Sequence, residues 1–409
     1  MIDLLEAIAK IALLLGGMMT AAAYFVLLER WMAAWVQDRR GPNRVGVPLT
    51  NIKLFGLGQP LADGAKMLLK EDFTPAHVDK RLFVVAPIVI MTAALAIFAV
   101  IPFGSVTPNV LPVEPGSQTT RPIELVIAPG IDVGMLYVFA LSSIAVYGVI
   151  LGGWSSNNKY SFLGGLRSSA QLIAYELPLG LGILGVVLAS GSLDLGDIIT
   201  HQALTGVWNA IGQPLGFVVF VVAAFAEAAR LPFDLPECEQ ELIGGYHTEY
   251  GGMKLVLFLT AEFIHMITAS FLIVILFLGG WHFWGITGTG EAGEAIGWGT
   301  AILRVVVLMV KILLVILFFM LVRWSWPRFR FDQLMAFAWK VMLPLGMVNL
   351  LAMAIVVEVE RVYANQLGWL GRLLLVAASW CVLVGGWVVV ALAQPVTADN
   401  RPRERVGIE

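Results

Sequence analysis

Cysteine is almost missing: Cys238 and Cys381 are the only two in 409 residues. Thiols so few and so distant in sequence do not build an iron–sulfur cluster, a structural zinc site or a disulfide framework. The chain is therefore expected to hold no metal and no redox centre of its own. Charge is scarce as well. Charged residues make up 13% of the chain, about half of what a soluble globular protein uses, and nothing among them resembles a nucleic-acid patch. The sequence has no P-loop and no internal repeat, which weighs against nucleotide binding and repeat architecture. MIDLLEAIAK bears Asp3 and Glu6 where a secretory leader would be basic, and no small-residue cleavage site follows, so the first apolar segment is expected to be retained.

What the sequence has in excess is apolar surface, 58% of residues with a mean hydropathy of +0.83. That composition belongs in a bilayer, where about 20 apolar residues make one helical crossing. Nine stretches qualify: 8–28, 82–103, 133–154, 169–189, 211–229, 255–281, 301–322, 341–357 and 373–394. The expected fold is thus all-α, a polytopic membrane helix bundle. Lys and Arg alternate between the loops. Loop 1 (30–81) holds nine, loop 3 two, loop 5 two, loop 7 (323–340) four and the tail three, against one, none, none and two in loops 2, 4, 6 and 8. The positive-inside bias then places the N-terminus outside and the odd loops and the C-terminus in the cytoplasm. Within loop 1, PLADGAKMLLKED puts Leu61, Ala65 and Leu68 on one helical face over a stretch too short to span. It reads as an interfacial amphipathic helix or as an ordinary surface helix anchoring the loop.

Four ionisable side chains fall well inside the expected helices and carry the argument: Glu176, Glu227, Glu262 and Lys311. A central charge costs roughly 2.5 to 3.5 kcal/mol, so four unpaired charges would cost on the order of 10 kcal/mol. They are either ion pairs and protonated carboxyls locking the bundle or the groups of a proton route. Three glutamates cannot all pair with one lysine, and closely spaced carboxylates share protons, which favours the route. His265 follows Glu262 by three residues, on the same helical face; it is either a hydrogen-bonding core residue or an extension of the relay. Pro178, two residues after Glu176, frees a backbone carbonyl and makes room for water.

Loop 5 begins EAARLPFDLPECEQELIGGYHTEYGG and carries six carboxylates against one arginine. A run of acids is commonly a solvated loop. Here Leu231, Phe233 and Leu235 interleave with the acids, and Pro232 and Pro236 stiffen the backbone, so the loop is expected to pack against something.

Five runs carry a resemblance: ERWMAAWVQDRRGPNRVG (29–46), QPLADGAKMLLKED (59–72), SSNNKYSFLGGLRSSAQLIAYELP (155–178), AEAARLPFDLPECEQELIGGYHTEYGGMK (226–254) and RWSWPRFRFDQLMAFAWKVMLPL (323–345). In order and over residues 1–357 they resemble the H subunit of respiratory complex I, the proton-pumping NADH:quinone oxidoreductase of the cell inner membrane. The resemblance implies an eight-helix membrane domain at 1–357, with 358–409 adding a ninth helix and a cytoplasmic tail. It implies that such a chain forms the tunnel by which quinone, the substrate, reaches the last cluster of the peripheral arm. The iron–sulfur clusters and FMN would lie on partner subunits only. The implied partners are the peripheral-arm quinone-site and iron–sulfur subunits, the small membrane subunits beside it, quinone and lipid. On the tunnel side the matching positions are Glu29, Arg30, Arg39, Asp63, Lys66, Arg230, Asp234, Glu237, Glu239, Glu241, Glu249, Arg328 and Arg330. Glu176, Glu227, Glu262 and Lys311 match the acidic proton pathway. Ala228 and Ala229 depart from the usual Thr and Asn, and Trp31 stands where a basic residue is common.

Two other readings use the same residues. A secondary ion transporter would explain the intramembrane charges but calls for interrupted helices repeated in two halves, and the sequence has no such halves. Related subunits also serve ferredoxin-dependent and hydrogenase-type membrane complexes, and this chain alone does not name the electron donor.

Overall fold

The computed structural model describes residues 2–46, 53, 55–104, 125–234, 243–284, 286–288, 298–363 and 369–393. Helices account for the regular structure, and among the described residues there is no strand. This is the outcome expected where lipid cannot hydrogen-bond an exposed backbone. Among the described residues eight helices are long and apolar enough to cross a membrane.

The first, α1 (Ile2–Val36), runs two turns past its expected end, so Glu29 and Arg30 are helical. The loop 1 helix, α2 (Gln59–Leu69), buries no residue and leaves Leu61 and Leu68 largely exposed, as an interfacial helix would. Asp79 caps α3 (Lys80–Ala96) by accepting from the Arg81 amide at 3.1 Å, satisfying one of the free N–H groups of the first turn. α4 (Gly134–Ser155) packs against α3 and against α5 (Lys159–Ser190). The second approach depends on glycine, because a Cβ on Gly153 would come 2.8 Å from the Ser161 carbonyl and 3.2 Å from Cα of Gly165. Small residues let membrane helices cross this closely.

Two short helices, α6 (Leu195–Thr205) and α7 (Asn209–Gly212), lead into α8 (Pro214–Glu227). The sequence expects a full span at 211–229. The helix has 14 residues, roughly 21 Å at 1.5 Å per residue against the roughly 30 Å of a hydrocarbon core. Pro214 starts it, since proline suits the first turn. Its end is set by Ala229, which takes a φ of +48°, a left-handed conformation that stops a helix. Gln171 on α5 braces the unwound chain, donating from Nε2 to the carbonyls of Ala226 at 2.9 Å and Phe233 at 2.7 Å. Phe233 is buried between Tyr175 and Phe329, so the described start of loop 5 does pack.

At the centre lies α9 (Gly252–Phe277), continuously buried from Met266 to Phe277 and in contact with α1, α3 and α10 (Trp298–Ser325). The eighth crossing is longer than expected: α11 (Phe331–Phe337) continues through a π turn (Ala338–Met342) into α12 (Leu343–Tyr363). The ninth candidate forms α13 (Trp369–Ala393), which packs on α7, α8 and α12. The tail after it lies outside the described residues.

Candidate functional site

Three of the four intramembrane charges converge. Glu176 on α5, Glu227 at the end of α8 and Glu262 on α9 line one cavity of about 40 Å³ with His265, Ser142 and Tyr246. That is more than the roughly 15 Å³ one water needs. Each carboxyl has a hydroxyl partner. Ser142 and Ser143, adjacent on α4, hydrogen-bond Glu227 and Glu176 respectively, and Tyr246 donates to Oε1 of Glu262 at 3.0 Å. A hydroxyl is both donor and acceptor, so each acid can hold or release a proton without losing its hydrogen bond. Glu227, His265 and Ser142 also border a second, smaller void that continues along α9 toward Thr268 and Leu272.

A larger cavity of about 470 Å³ opens where the ends of α1, α9 and α10 meet. Its wall combines apolar Val26, Ala33, Leu259, Phe263 and Trp324 with Glu29, Arg30, Arg39, Arg230 and Arg323. Glu29, only 7% exposed, ion-pairs with Arg230 at 3.4 Å and with Arg323. The Arg230 guanidinium lies 4.1 Å from the centre of the Phe263 ring, a cation–π distance. Arg30 reaches Asp63 at 2.8 Å and so ties α1 to α2. Arg39 donates to Gln37 at 2.7 Å. Glu262 lines this cavity as well as the acid cavity, which makes it the shared wall of the two.

The remaining sequence candidates scatter. Asp234 is buried and paired with Arg328 at 3.3 Å. Arg330 does not reach a loop 5 acid among the described residues; it pairs with exposed Asp332 at 3.4 Å, beside the start of α11. Lys66 is exposed on α2. Glu249 accepts from Asn158 at 2.6 Å, at the start of α5. Glu237, Glu239 and Glu241 lie outside the described residues. Lys311 is not with the glutamates. Its ammonium donates to the carbonyls of Leu278, Gly280 and His282 at 2.7, 3.0 and 2.7 Å, beyond the C-terminal end of α9. Glu262 lies fifteen residues before that end, roughly 22 Å of helix rise. All three donors are used on carbonyls, at a helix terminus that favours a cation.

A family model described as NADH dehydrogenase matches residues 9–354. The chain belongs to the NADH dehydrogenase family. Among its relatives, an NADH-quinone oxidoreductase H subunit of Geobacter metallireducens is 46% identical over 350 residues, 86% of this chain and 96% of the relative. The NADH-quinone oxidoreductase H subunit of Leptospira biflexa serovar Patoc is 45% identical over 366 residues, covering 88% and 96%. The corresponding protein of Syntrophotalea carbinolica, also named as the H subunit, is 43% identical over 354 residues, covering 87% and 97%.

Every candidate residue, from Glu29 to Arg330, falls inside the matched stretch. Sequence reasoning missed four others. Ser142 and Ser143 form a polar pair within an apolar helix, a signal that is present and easy to read as filler. Arg323 enters the loop 7 charge count, yet nothing local reveals that it turns back onto Glu29. Tyr246 follows two glycines in loop 5, and only the fold brings its hydroxyl to Glu262.

Proposed function

We propose that this chain is the quinone-tunnel component of a proton-translocating NADH:quinone oxidoreductase, standing between a peripheral arm that delivers electrons and membrane subunits that move protons. One observation carries the reading: Glu262 borders both the arginine-rimmed cavity and the acid cavity. The apolar wall of the larger cavity suits an isoprenoid tail, and its arginines suit a headgroup that gains negative charge on reduction. Two-electron reduction of a quinone takes up two protons, so charge appears beside Arg230 and Arg323 before it is neutralised. Glu262, in reach of that change, passes it to Glu227 and Glu176 through their hydroxyl partners and enclosed water. The scale is reasonable, since one unit of pKa shift is about 1.4 kcal/mol and moving one proton against 100 mV takes about 2.3 kcal/mol. Electrons arrive from iron–sulfur clusters and FMN on partner subunits. Loops 1, 3, 5 and 7 face the cytoplasm of the cell inner membrane and dock the peripheral arm.

The test is photo-crosslinking with an azido-quinone in the assembled complex. Label is expected on peptides of α1, α9 and α10 that contain Ala33, Phe263 or Trp324, and should be competed by excess quinone. Competable label elsewhere in the complex, with none on these peptides, would remove the tunnel from this chain.

A further inference from the structure

On the side of the bundle away from loops 1, 3, 5 and 7 lies a further cavity, of about 130 Å³, between α6, α7, α12 and α13. It plays no part in the quinone or acid sites. Its inner wall is Gln213, which is 2% exposed and immediately precedes α8. Neither Nε2 nor Oε1 of Gln213 has a protein partner among the described residues. Behind it stands Asn349 of α12, 3% exposed, whose Nδ2 is also unpartnered. The two amides meet where glycines leave room. A Cβ on Gly185 would lie 2.7 Å from Oε1 of Gln213 and 2.8 Å from Nδ2 of Asn349, and one on Gly216 would lie 2.7 Å from that same Nδ2. Two further buried atoms of the wall, Nδ1 of His201 and Nε1 of Trp208, have no protein partner among the described residues either.

Buried amides, an imidazole and an indole N–H without partners are expensive at membrane depth. Their chemistry selects what completes them. The set contains both donors and acceptors, so an anion or a cation satisfies only part of it. Among the described residues the wall includes no Lys or Arg to neutralise a phosphate, and its charged residue is Glu360. Burial pushes the His201 imidazole below its usual range against the pull of Glu360, so it offers a neutral nitrogen. A small molecule that donates and accepts at once is required.

The lipid-side wall is α13, which begins after the family match ends at residue 354. It is latched to this face in two ways. Trp380 donates from Nε1 to the Ile211 carbonyl at 3.2 Å, and Gly386 lies close to Leu345. Ser379, 6% exposed, lines the cavity. Without α13 this side of the cavity would be open.

We propose that this cavity is a water-filled vestibule, walled from lipid by α13, that hydrates Gln213 and Asn349 at the junction of α5, α8 and α12. The proposal does not depend on the quinone reading and fails separately from it.

Single cysteines in a parent carrying both Cys238→Ser and Cys381→Ser, in the assembled complex in membrane vesicles, test it with a membrane-impermeant thiosulfonate. Only an ionised thiol reacts, so the rate reports water. Thr205→Cys, at an exposed position, identifies the side from which the reagent is applied, and Val388→Cys, exposed on α13, is the lipid-facing reference. From the side that labels Thr205→Cys, Ser379→Cys is expected to react at least about tenfold faster than Val388→Cys. Val356→Cys reads the opposite wall should Ser379→Cys not assemble. Labelling of the wall cysteine at the Val388→Cys rate, while Thr205→Cys reacts, would mean that the cavity is dry or lipid-filled and would overturn the proposal.

Discussion

Replacing Glu29 with Gln removes one negative charge from a buried cluster that holds two positive ones. The Arg230 side chain is 7% exposed and that of Arg323 20%. Glu29 is the only acid paired with Arg230 among the described residues. The guanidinium cannot shed its charge, so Glu29→Gln leaves it, among the described residues, with the Phe263 ring for compensation. Removing one partner of a buried ion pair costs about 3 to 5 kcal/mol, and the amide recovers part of this by still accepting a hydrogen bond, so the lower end, about 3 kcal/mol, applies. At about 1.4 kcal/mol per tenfold that is roughly a hundredfold. Large membrane assemblies unfold irreversibly, so the observable is a half-life. The half-life of the purified complex at a fixed elevated temperature should fall by roughly tenfold to a hundredfold. Arg323→Gln leaves Glu29 still paired with Arg230 and should cost clearly less. Combining the two should recover part of the loss, as coupled neighbours do. A Glu29→Gln complex with an unchanged half-life, or equal costs for the two single variants, would refute the reasoning.

Three further outcomes are expected. Asp234→Asn removes the acid from the ion pair with Arg328 and should lower quinone reduction and proton pumping together in an assembled complex; a solvated acid would tolerate the change. Burial pushes the Tyr250 phenol up to about 12 from its ordinary value near 10. Its contribution of about 2 to 3 kcal/mol is therefore complete below pH about 10 and lost as pH rises to about 12, so Tyr250→Phe should flatten the alkaline loss of stability measured by unfolding against pH. A reporter fused after residue 409 should be active only in the cytoplasm if α13 crosses the membrane, and activity outside would show that it does not.

The sequence exposes the acid cavity because carboxylates inside apolar helices are too costly to be incidental, and Glu176, Glu227 and Glu262 do meet. The amphipathic pattern of α2 is equally plain. The short α8 is hidden, since its apolar run continues through Ala228 and Ala229, and the break is an alanine in a left-handed conformation braced by Gln171 from another helix. Periodicity carries no trace of such a tertiary brace. Lys311 groups with the acids in the sequence because hydropathy records depth and not direction. The turn through Gly279 and Gly280, both at positive φ, folds carbonyls back onto it. Arg323 reaches its acid only through a contact between elements far apart in the chain, and Tyr246 only through the fold of loop 5 back onto the helix that follows it.

The most direct trial of the account is Glu262→Gln in a fully assembled complex. The amide keeps the side chain's shape and can still accept from Tyr246, but it cannot carry a proton between the two cavities that Glu262 separates. Quinone reduction and proton yield, measured together in sealed vesicles, should both fall while assembly survives. Normal turnover with a normal proton yield would contradict the account and leave Glu262 as a structural acid.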